Sequence, residues 1–212
     1  MGQRELEALE VLKKEYPDAA YYLDFSNPLE LMVAAILSAQ CRDEVVNSVT
    51  PALFKKYKIA RDYADADLRE LIKDIIKISF AGNKAKNIKN ACKILVEKHG
   101  GKVPKSVEEL TELPGIGKKT ANTILINAFG IVVGIPVDTW VISVAYRLGW
   151  TKNKDPDKIE QDLMRLFDKR EWKKLPYIIK NHGKVVCRKP VPYCSKCVIN
   201  KLCPKIGVSK HL

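Results

Sequence analysis

The sequence has no hydrophobic run long enough to cross a membrane, because its longest apolar stretch, 29–39, is interrupted by Glu30 and Ser38. A membrane-spanning helix needs about 20 consecutive apolar residues. The first residues are polar and lack the apolar segment of a signal peptide. These absences favour a cytoplasmic protein that does not enter a membrane.

The sequence also lacks convincing strand patterns, low-complexity segments and internal repeats. Apolar residues recur instead at helical spacing, which predicts an all-α fold. The predicted helices are 4–15, 28–39 with Asn27 as its cap, one from Asp43, 65–77, 83–98 after a break at Gly82, one on each side of a turn at 113–117, one from Asp138, one from Pro156 with Asp155 as its cap, and 171–184. The helix at 28–39 is apolar on nearly all sides and should be buried. The apolar segment 131–137 contains Gly134 and Pro136. A strand is one interpretation, but the all-helical context favours a buried connector.

Acidic residues are few relative to basic ones. The 212 residues include 37 Lys and Arg but only 25 Asp and Glu, so the formal net charge is 37 − 25 = +12. A surface this basic favours a polyanionic partner, either nucleic acid or an anionic membrane surface. We therefore expect a cytoplasmic, nucleoid-associated protein. The length allows one large domain or two small domains with a core.

A glycine turn follows a short predicted helix, and the chain reads LPGIGKKTAN over 113–122. Ser106 and Glu109 have the spacing of a capping box for the first helix. Gly115 and Gly117 permit a tight turn after it, and apolar residues at helical spacing follow, namely Ala121, Ile124, Leu125, Ala128 and Phe129. This helix-hairpin-helix arrangement brings backbone N–H groups and a positive helix end together, which suits a phosphate. An ordinary corner between two helices is the alternative.

Two residues near this turn could carry chemistry. Lys119 lies in the first turn of the second helix, where the positive helix end and Lys118 both disfavour another ammonium. An unprotonated lysine can attack a sugar C1′ and form a Schiff base, although position alone favours phosphate contact or solvation. Asp138 has the position of a helix N-cap, and an ionised carboxylate there could also stabilise positive charge at C1′ or activate the amine.

Four of the six cysteines are concentrated near the C-terminus. Cys187, Cys194, Cys197 and Cys203 have the spacing C-x6-C-x2-C-x5-C. Four thiolates this close predict a metal site, and the spacing alone leaves zinc and an iron–sulfur cluster open. Arg188 and Lys189 form a basic loop with Pro190 and Pro192 after the first of these cysteines. Cys41 and Cys92 lie in apolar segments that predict core positions.

Two further side chains are candidates for contact with nucleic acid. Gln40 ends the apolar segment Ser38-Ala39-Gln40 and could fill the space left by an extruded nucleotide, although a helix-terminal hydrogen bond is the commoner role. Phe80 precedes Ala81 and Gly82 and could insert between base steps. Taken alone, its hydrophobicity predicts a core position.

Together these motifs resemble the helix-hairpin-helix DNA glycosylases, and most of all the endonuclease III family. The resemblance covers nearly the whole chain. It rests on Asn27-Pro28, LSAQ at 37–40, NKA at 83–85, LPGIGKKTAN at 113–122, VDT at 137–139, His182-Gly183 and the four cysteines.

The resemblance implies a bifunctional DNA glycosylase and abasic-site lyase of base excision repair that excises oxidised pyrimidines. Lys119 and Asp138 would be catalytic, and Cys187, Cys194, Cys197 and Cys203 would hold a [4Fe-4S] cluster. DNA contacts would come from Gln40 as the inserted residue, Phe80 as an apolar wedge, Gly115, Gly117, Lys118, Thr120, Arg188 and Lys189. The expected partner is double-stranded DNA with damaged bases or abasic sites, bound by a monomer.

The family fold implies two helical domains with a DNA-binding groove between them. A six-helix barrel would span 21–130 and include the helix-hairpin-helix at about 106–130. Residues 1–20 and 131–212 would form the other domain, with the cluster loop at 187–203.

The sequence departs from the family pattern at Trp140, where a histidine is usual, and at Ser143, where an arginine is usual. The connector before Asp138 is also one residue longer than the family pattern. These changes leave the preferred lesion open. Three alternatives follow from the residues: a thymine- or adenine-mismatch glycosylase of the same superfamily, a non-catalytic DNA-binding module, and a zinc-ribbon transcription or replication factor. Lys119 disfavours the adenine type, which lacks a lysine nucleophile.

Overall fold

The computed structural model describes residues 2–212, and their regular secondary structure is helical throughout, without a strand. This confirms the predicted all-α class. The helices are α1 (Gln3–Glu15), α2 (Pro28–Ser38), α3 (Asp43–Lys56), α4 (Ala60–Asp65), α5 (Leu68–Asp74), α6 (Ala81–Lys98), α7 (Val107–Thr111), α8 (Lys118–Phe129), α9 (Thr139–Arg147), α10 (Pro156–Leu166) and α11 (Leu175–Val185). Short 3-10 turns lie at Lys169–Glu171 and Cys194–Lys196. No helix in this described part is both long and apolar enough to span a bilayer.

The chain forms two compact units. Tyr22–Ile131 form one, which contains α2 to α8 and is called the hairpin unit below. The residues up to Tyr21 and Val132–Leu212 form the other, which contains α1 and α9 to α11 and is called the cysteine unit.

Helix α2 lies at the centre of the hairpin unit. Every residue from Leu31 to Leu37 is buried, as its uniformly apolar sequence predicts. It packs against α3, α6 and α8. The Asn27 side chain accepts a hydrogen bond from the Glu30 N–H at 3.0 Å, which confirms the predicted cap.

The predicted helix 65–77 is observed as α5, which is shorter at both ends, and the short helix α4 that precedes it was not predicted. Asp67 separates them by accepting hydrogen bonds from the N–H groups of Arg69 and Glu70. Helix α6 begins at Ala81 rather than at 83, so that Gly82 lies within its first turn. The break in the pattern falls instead at Phe80, whose φ of 58° is left-handed.

The core of the cysteine unit lies among α1, α9, α10 and α11. Its largest contributions come from buried aliphatic residues of these helices, namely Leu9, Leu12, Val141, Val144, Ile159, Leu163, Ile178 and Ile179. Asp155 caps α10 by accepting from the Lys158 N–H at 3.0 Å, as its position before Pro156 predicts. The predicted helix 171–184 is observed as α11, which begins later, at Leu175, and is preceded by the 3-10 turn Lys169–Glu171, capped by Asp168.

The segment 131–137 is a connector without strand pairing, as predicted. Its second half, 134–137, is buried. The Ile135 N–H donates to the Glu160 carboxylate of α10 at 3.0 Å, which satisfies a buried backbone donor where no sheet is present.

Gly183 of α11 is required by close packing against α9. A Cβ at this position would lie 2.7 Å from Cε3 of Trp140 and 3.2 Å from Cγ2 of Val144. We expect Gly183→Ala to lower the free energy of unfolding by about 1–3 kcal/mol through overpacking, measured by chemical denaturation.

Gly82 is the matched control for this prediction. A Cβ there meets nothing within 4 Å. Gly82→Ala should therefore raise the free energy of unfolding by up to about 1 kcal/mol through helix propensity. Equal effects of the two substitutions would contradict the packing explanation.

Candidate functional site

The first helix of the hairpin is held by the predicted cap. Ser106 Oγ accepts from the Glu109 N–H at 3.2 Å, and its hydroxyl donates to the Glu109 carboxylate at 2.7 Å. The carboxylate thus bonds the serine hydroxyl, whereas in the usual capping box it bonds the N-cap N–H. Leu110 and Leu113 are buried and fix the helix against the core.

The two glycines of the turn have different roles. Gly115 has a φ of 86°, and a Cβ there would lie 3.0 Å from Nδ2 of Asn87, so both conformation and space require glycine. Gly117 has a φ of −93° and nothing within 4 Å of its missing Cβ. The turn thus uses the conformational freedom of glycine at Gly115 but not at Gly117. Both residues are exposed, which leaves their backbone accessible to a partner.

The positive end of α8 is open. Gly117 is its N-cap and has no side chain that could accept from the first N–H groups of the helix. Lys118 and Lys119 are exposed on the first turn and Thr120 is half-buried. Further along, residues 121–126 are all buried, so this part of α8 is enclosed on every side, whereas Ala128 and Phe129 of the predicted face are only half-buried. The open helix end and the lysines form one positive surface, suited to an anion.

Asp138 is the N-cap of α9, as predicted. Its Oδ1 accepts from the N–H groups of Trp140 and Val141, each at 2.8 Å. The cap uses only Oδ1, and the side chain is half-exposed. Asp138 belongs to the cysteine unit, whereas Lys119 belongs to the hairpin unit.

The basic loop after Cys187 is attached to the first turn of α9. Lys189 Nζ donates to the Thr139 carbonyl oxygen at 2.6 Å and lies 5.6 Å from the centre of the Trp140 ring. Arg188 Nη1 donates to the Tyr193 hydroxyl at 3.2 Å. Both predicted DNA contacts of this loop thus have partners within the protein.

Gln40 and Phe80 are both exposed and both have left-handed backbones, with φ of 51° and 58°. Phe80 is 62% exposed, so its interpretation as a core residue from hydrophobicity alone is wrong. Cys41 lies between α2 and α3 and is half-buried, so it is not the core helix residue that was expected. Cys92 is fully buried in α6, as predicted.

The four C-terminal cysteines line one pocket, with an empty volume of about 340 Å³. We call it the cysteine pocket, and Arg147 and His182 also line it. All four thiols are free. Cys187 follows the end of α11, and Cys194 begins the second 3-10 turn.

Hydrogen-bond donors surround the sulfur atoms. Arg147 Nη1 lies 3.5 Å from Cys187 Sγ, and the Lys205 N–H donates to Cys203 Sγ at 3.4 Å. His182 Nε2 lies 3.7 Å from Cys197 Sγ, and its Nδ1 lies 3.1 Å from the Tyr16 hydroxyl. Burial lowers the pKa of His182 to about 4, so the ring is neutral near pH 7. These donors suit sulfur atoms that carry negative charge.

Burial also raises the pKa values of the thiols. The pKa of Cys197 rises to about 11, and those of Cys187 and Cys203 rise in the same direction. Residues 2–212 contain no group of three or more His, Cys, Asp or Glu side chains arranged to hold a metal ion.

Sequence reasoning gave no role to Arg147 or His182. They are 40 and 15 residues away from the cysteines that they contact, so no local motif connects them. Only the placement of His182-Gly183 shortly before Cys187 marked one of them in the sequence.

The sequence and the fold match known proteins. The model of the HhH-GPD superfamily of base excision DNA repair proteins matches residues 33–169. Endonuclease III of Synechocystis sp. is 47% identical over 98% of this chain and 94% of its own. Endonuclease III of Bacillus subtilis is 44% identical over 89% of this chain and 86% of its own. A trapped covalent intermediate of endonuclease III with DNA has a TM-score of 0.91 and 38% identity, over 97% of each chain.

Proposed function

The chain belongs to the endonuclease III family of the HhH-GPD superfamily, whose members are DNA glycosylases and abasic-site lyases, and we propose that Lys119 and Asp138 carry out that chemistry here. The observation that carries the proposal is the position of Lys119. Its side chain is exposed on the first turn of α8, directly after the exposed backbone of Gly115 and Gly117. A phosphate bound at this turn would bring a deoxyribose within range of the amine.

In the proposed reaction the Lys119 amine attacks C1′ of the extruded nucleotide. The N-glycosidic bond breaks and the damaged base leaves with its electron pair. Loss of a proton from the nitrogen and opening of the sugar ring give a Schiff base between Nζ and C1′. This Schiff base acidifies C2′, and loss of a C2′ proton expels the 3′ phosphate by β-elimination, which nicks the strand 3′ to the lesion.

Asp138 would assist the first step. Its cap contacts hold one carboxylate oxygen at the end of α9 and leave Oδ2 outside the cap. An ionised carboxylate stabilises positive charge that develops at C1′ and can accept a proton from the attacking amine. The cap and the catalytic role are compatible, because they use different oxygens.

DNA would be held mainly through its backbone. The amides of Gly115 and Gly117, with Lys118 and Thr120, are proposed to bind phosphate, and Gln40 and Phe80 are proposed to enter the duplex at the lesion. Arg188 and Lys189 are proposed to contact the backbone as well, although both already bond groups of the cysteine unit. The preferred substrates would be oxidised pyrimidines and abasic sites in double-stranded DNA, acted on by a monomer at the nucleoid.

The cysteine pocket fits a [4Fe-4S] cluster. It offers four thiols, three of which lie beside nitrogen groups that can donate to sulfur. Cys187, Cys194, Cys197 and Cys203 would hold the cluster as thiolates, with release of their protons. When bound it would supply structural stabilisation of the loop that carries Arg188 and Lys189.

The alternatives are less well supported. A zinc-ribbon factor or a non-catalytic module gives no reason for Lys119 and Asp138 to occur together. A mismatch glycosylase is disfavoured because the relatives that are 47% and 44% identical to this chain are endonuclease III proteins.

Lys119→Gln should abolish covalent trapping. Sodium borohydride reduces the Schiff base to a stable amine, so wild-type protein should give a protein–DNA adduct with abasic duplex DNA on a denaturing gel. The matched control is Lys93→Gln, an exposed lysine of α6 in the same unit. Trapping of Lys119→Gln at the wild-type rate would show that another group is the nucleophile.

Asp138→Asn should separate capping from catalysis. Asparagine is an equally good N-cap, so the free energy of unfolding should change by less than about 1 kcal/mol. Turnover of duplex DNA with an oxidised pyrimidine should fall by about 10²–10⁴-fold, because the amide cannot take up a proton. Asp155→Asn, at the cap of α10, should change neither quantity. Wild-type turnover by Asp138→Asn would leave Asp138 as a cap only.

Purified wild-type protein should contain about four iron and about four sulfide per chain by metal and sulfide analysis. Cys194→Ser should lose most of this iron and sulfide, whereas Cys41→Ser, a thiol of the other unit, should retain them. Stoichiometric zinc without sulfide would contradict the assignment of the cluster.

A further inference from the structure

Gln40 and Phe80 hold conformations that are costly for residues with a Cβ. The left-handed region crowds the Cβ against the backbone, and such conformations persist only where surrounding contacts impose them. Both side chains are exposed, so neither is held by burial in the core. The contacts that impose these conformations must therefore act on the backbone.

Lys84 of α6 makes backbone contacts next to both residues. Its side chain is buried, and its Nζ donates to the Leu37 carbonyl oxygen at 2.7 Å and to the Ala39 carbonyl oxygen at 2.6 Å. The Ala39 carbonyl belongs to the peptide that precedes Gln40, so this bond fixes the plane from which φ of Gln40 is measured. Its own N–H donates to the Phe80 carbonyl oxygen at 3.1 Å, the first hydrogen bond of α6.

The charge of Lys84 suits this position. The last carbonyls of a helix lack partners within the helix and carry partial negative charge, which a cation at the C-terminal end of α2 stabilises. The bonds connect residues 45 and 47 positions apart, so they also fix the start of α6 against the end of α2. The two left-handed residues are thereby held in one backbone framework.

We propose that Lys84 is the positioning residue for duplex opening, which holds Gln40 and Phe80 ready to enter DNA at the lesion. This inference rests on the proposed function. Insertion compensates the lost stacking and pairing of an extruded nucleotide, and a preformed pair of inserting residues reduces the entropy lost on binding. Single-stranded DNA needs no such opening, so the reaction of the enzyme with single-stranded DNA should not depend on Lys84.

Lys89 is a matched control on the same helix. Its Nζ donates to the carbonyl oxygens of Ala64 and Ala66 at the end of α4, in the same way that Lys84 bonds the end of α2. It contacts neither Gln40 nor Phe80. Lys84→Met and Lys89→Met therefore each remove one lysine cap from a helix end.

The experiment compares two probes for each variant: excision of thymine glycol from duplex DNA, and borohydride trapping on a single-stranded oligonucleotide with one abasic site. Lys84→Met should lower duplex excision by about tenfold or more, since unstacking is no longer compensated, and leave single-strand trapping within about twofold. Lys89→Met should leave the ratio of the two activities unchanged. Lys84→Gln keeps a hydrogen-bond donor on a shorter side chain. Its duplex excision activity should therefore lie between that of Lys84→Met and that of the wild type.

A second measurement tests the coupling to the inserted residues. In a Gln40→Ala and Phe80→Ala background, Lys84→Met should cause no further loss specific to the duplex, because residues that act through one another are not additive. Equal loss on both probes, a duplex-specific loss in Lys89→Met, or an additive loss in the triple variant would overturn the positioning role. Absence of any adduct with wild-type protein would instead overturn the proposed function, and the positioning role with it.

Discussion

The burial of α2 is the constraint on which the hairpin unit depends. A helix with apolar residues on every side must be enclosed by its neighbours, yet the polar groups at its two ends still need partners. Asn27 satisfies the first end from within the local sequence, and Lys84 satisfies the other from α6. The same contacts therefore stabilise the buried core and position the backbone of the segments that carry Gln40 and Phe80.

Helix ends also organise the chemistry. Asp138 closes the positive end of α9 with a carboxylate, whereas Gly117 leaves the positive end of α8 open. An end closed by a carboxylate provides a fixed negative charge, and an open end with lysines provides a site for an anion. The sequence has a charged cap, Asp138, at α9 and a residue without a side chain, Gly117, at α8. This difference gives α9 the proposed role of charge stabilisation and α8 the proposed role of phosphate binding.

Sequence reasoning succeeded where the determinant is local. The caps at Asn27, Asp138 and Asp155 were predicted because a cap acts on N–H groups two or three residues away. It failed where the position of a residue depends on contacts with distant parts of the chain, or on whether its side chain points to the core or to solvent. Phe80 is hydrophobic but exposed, and the contacts of Lys84, Arg147 and His182 depend on tertiary folding. The start of α5 was placed three residues too early, at 65, because the cap of Asp67 lies inside a sequence of helical character.

The fit of the Trp140 ring against Gly183 has a consequence for how this chain can change over evolutionary time. The ring occupies the space that any side chain at position 183 would need. A lineage that replaces the indole by a smaller group opens a void, which alanine or serine at 183 could then fill. A residue larger than glycine at 183 should therefore arise in descendants of this chain only together with, or after, a smaller residue at 140.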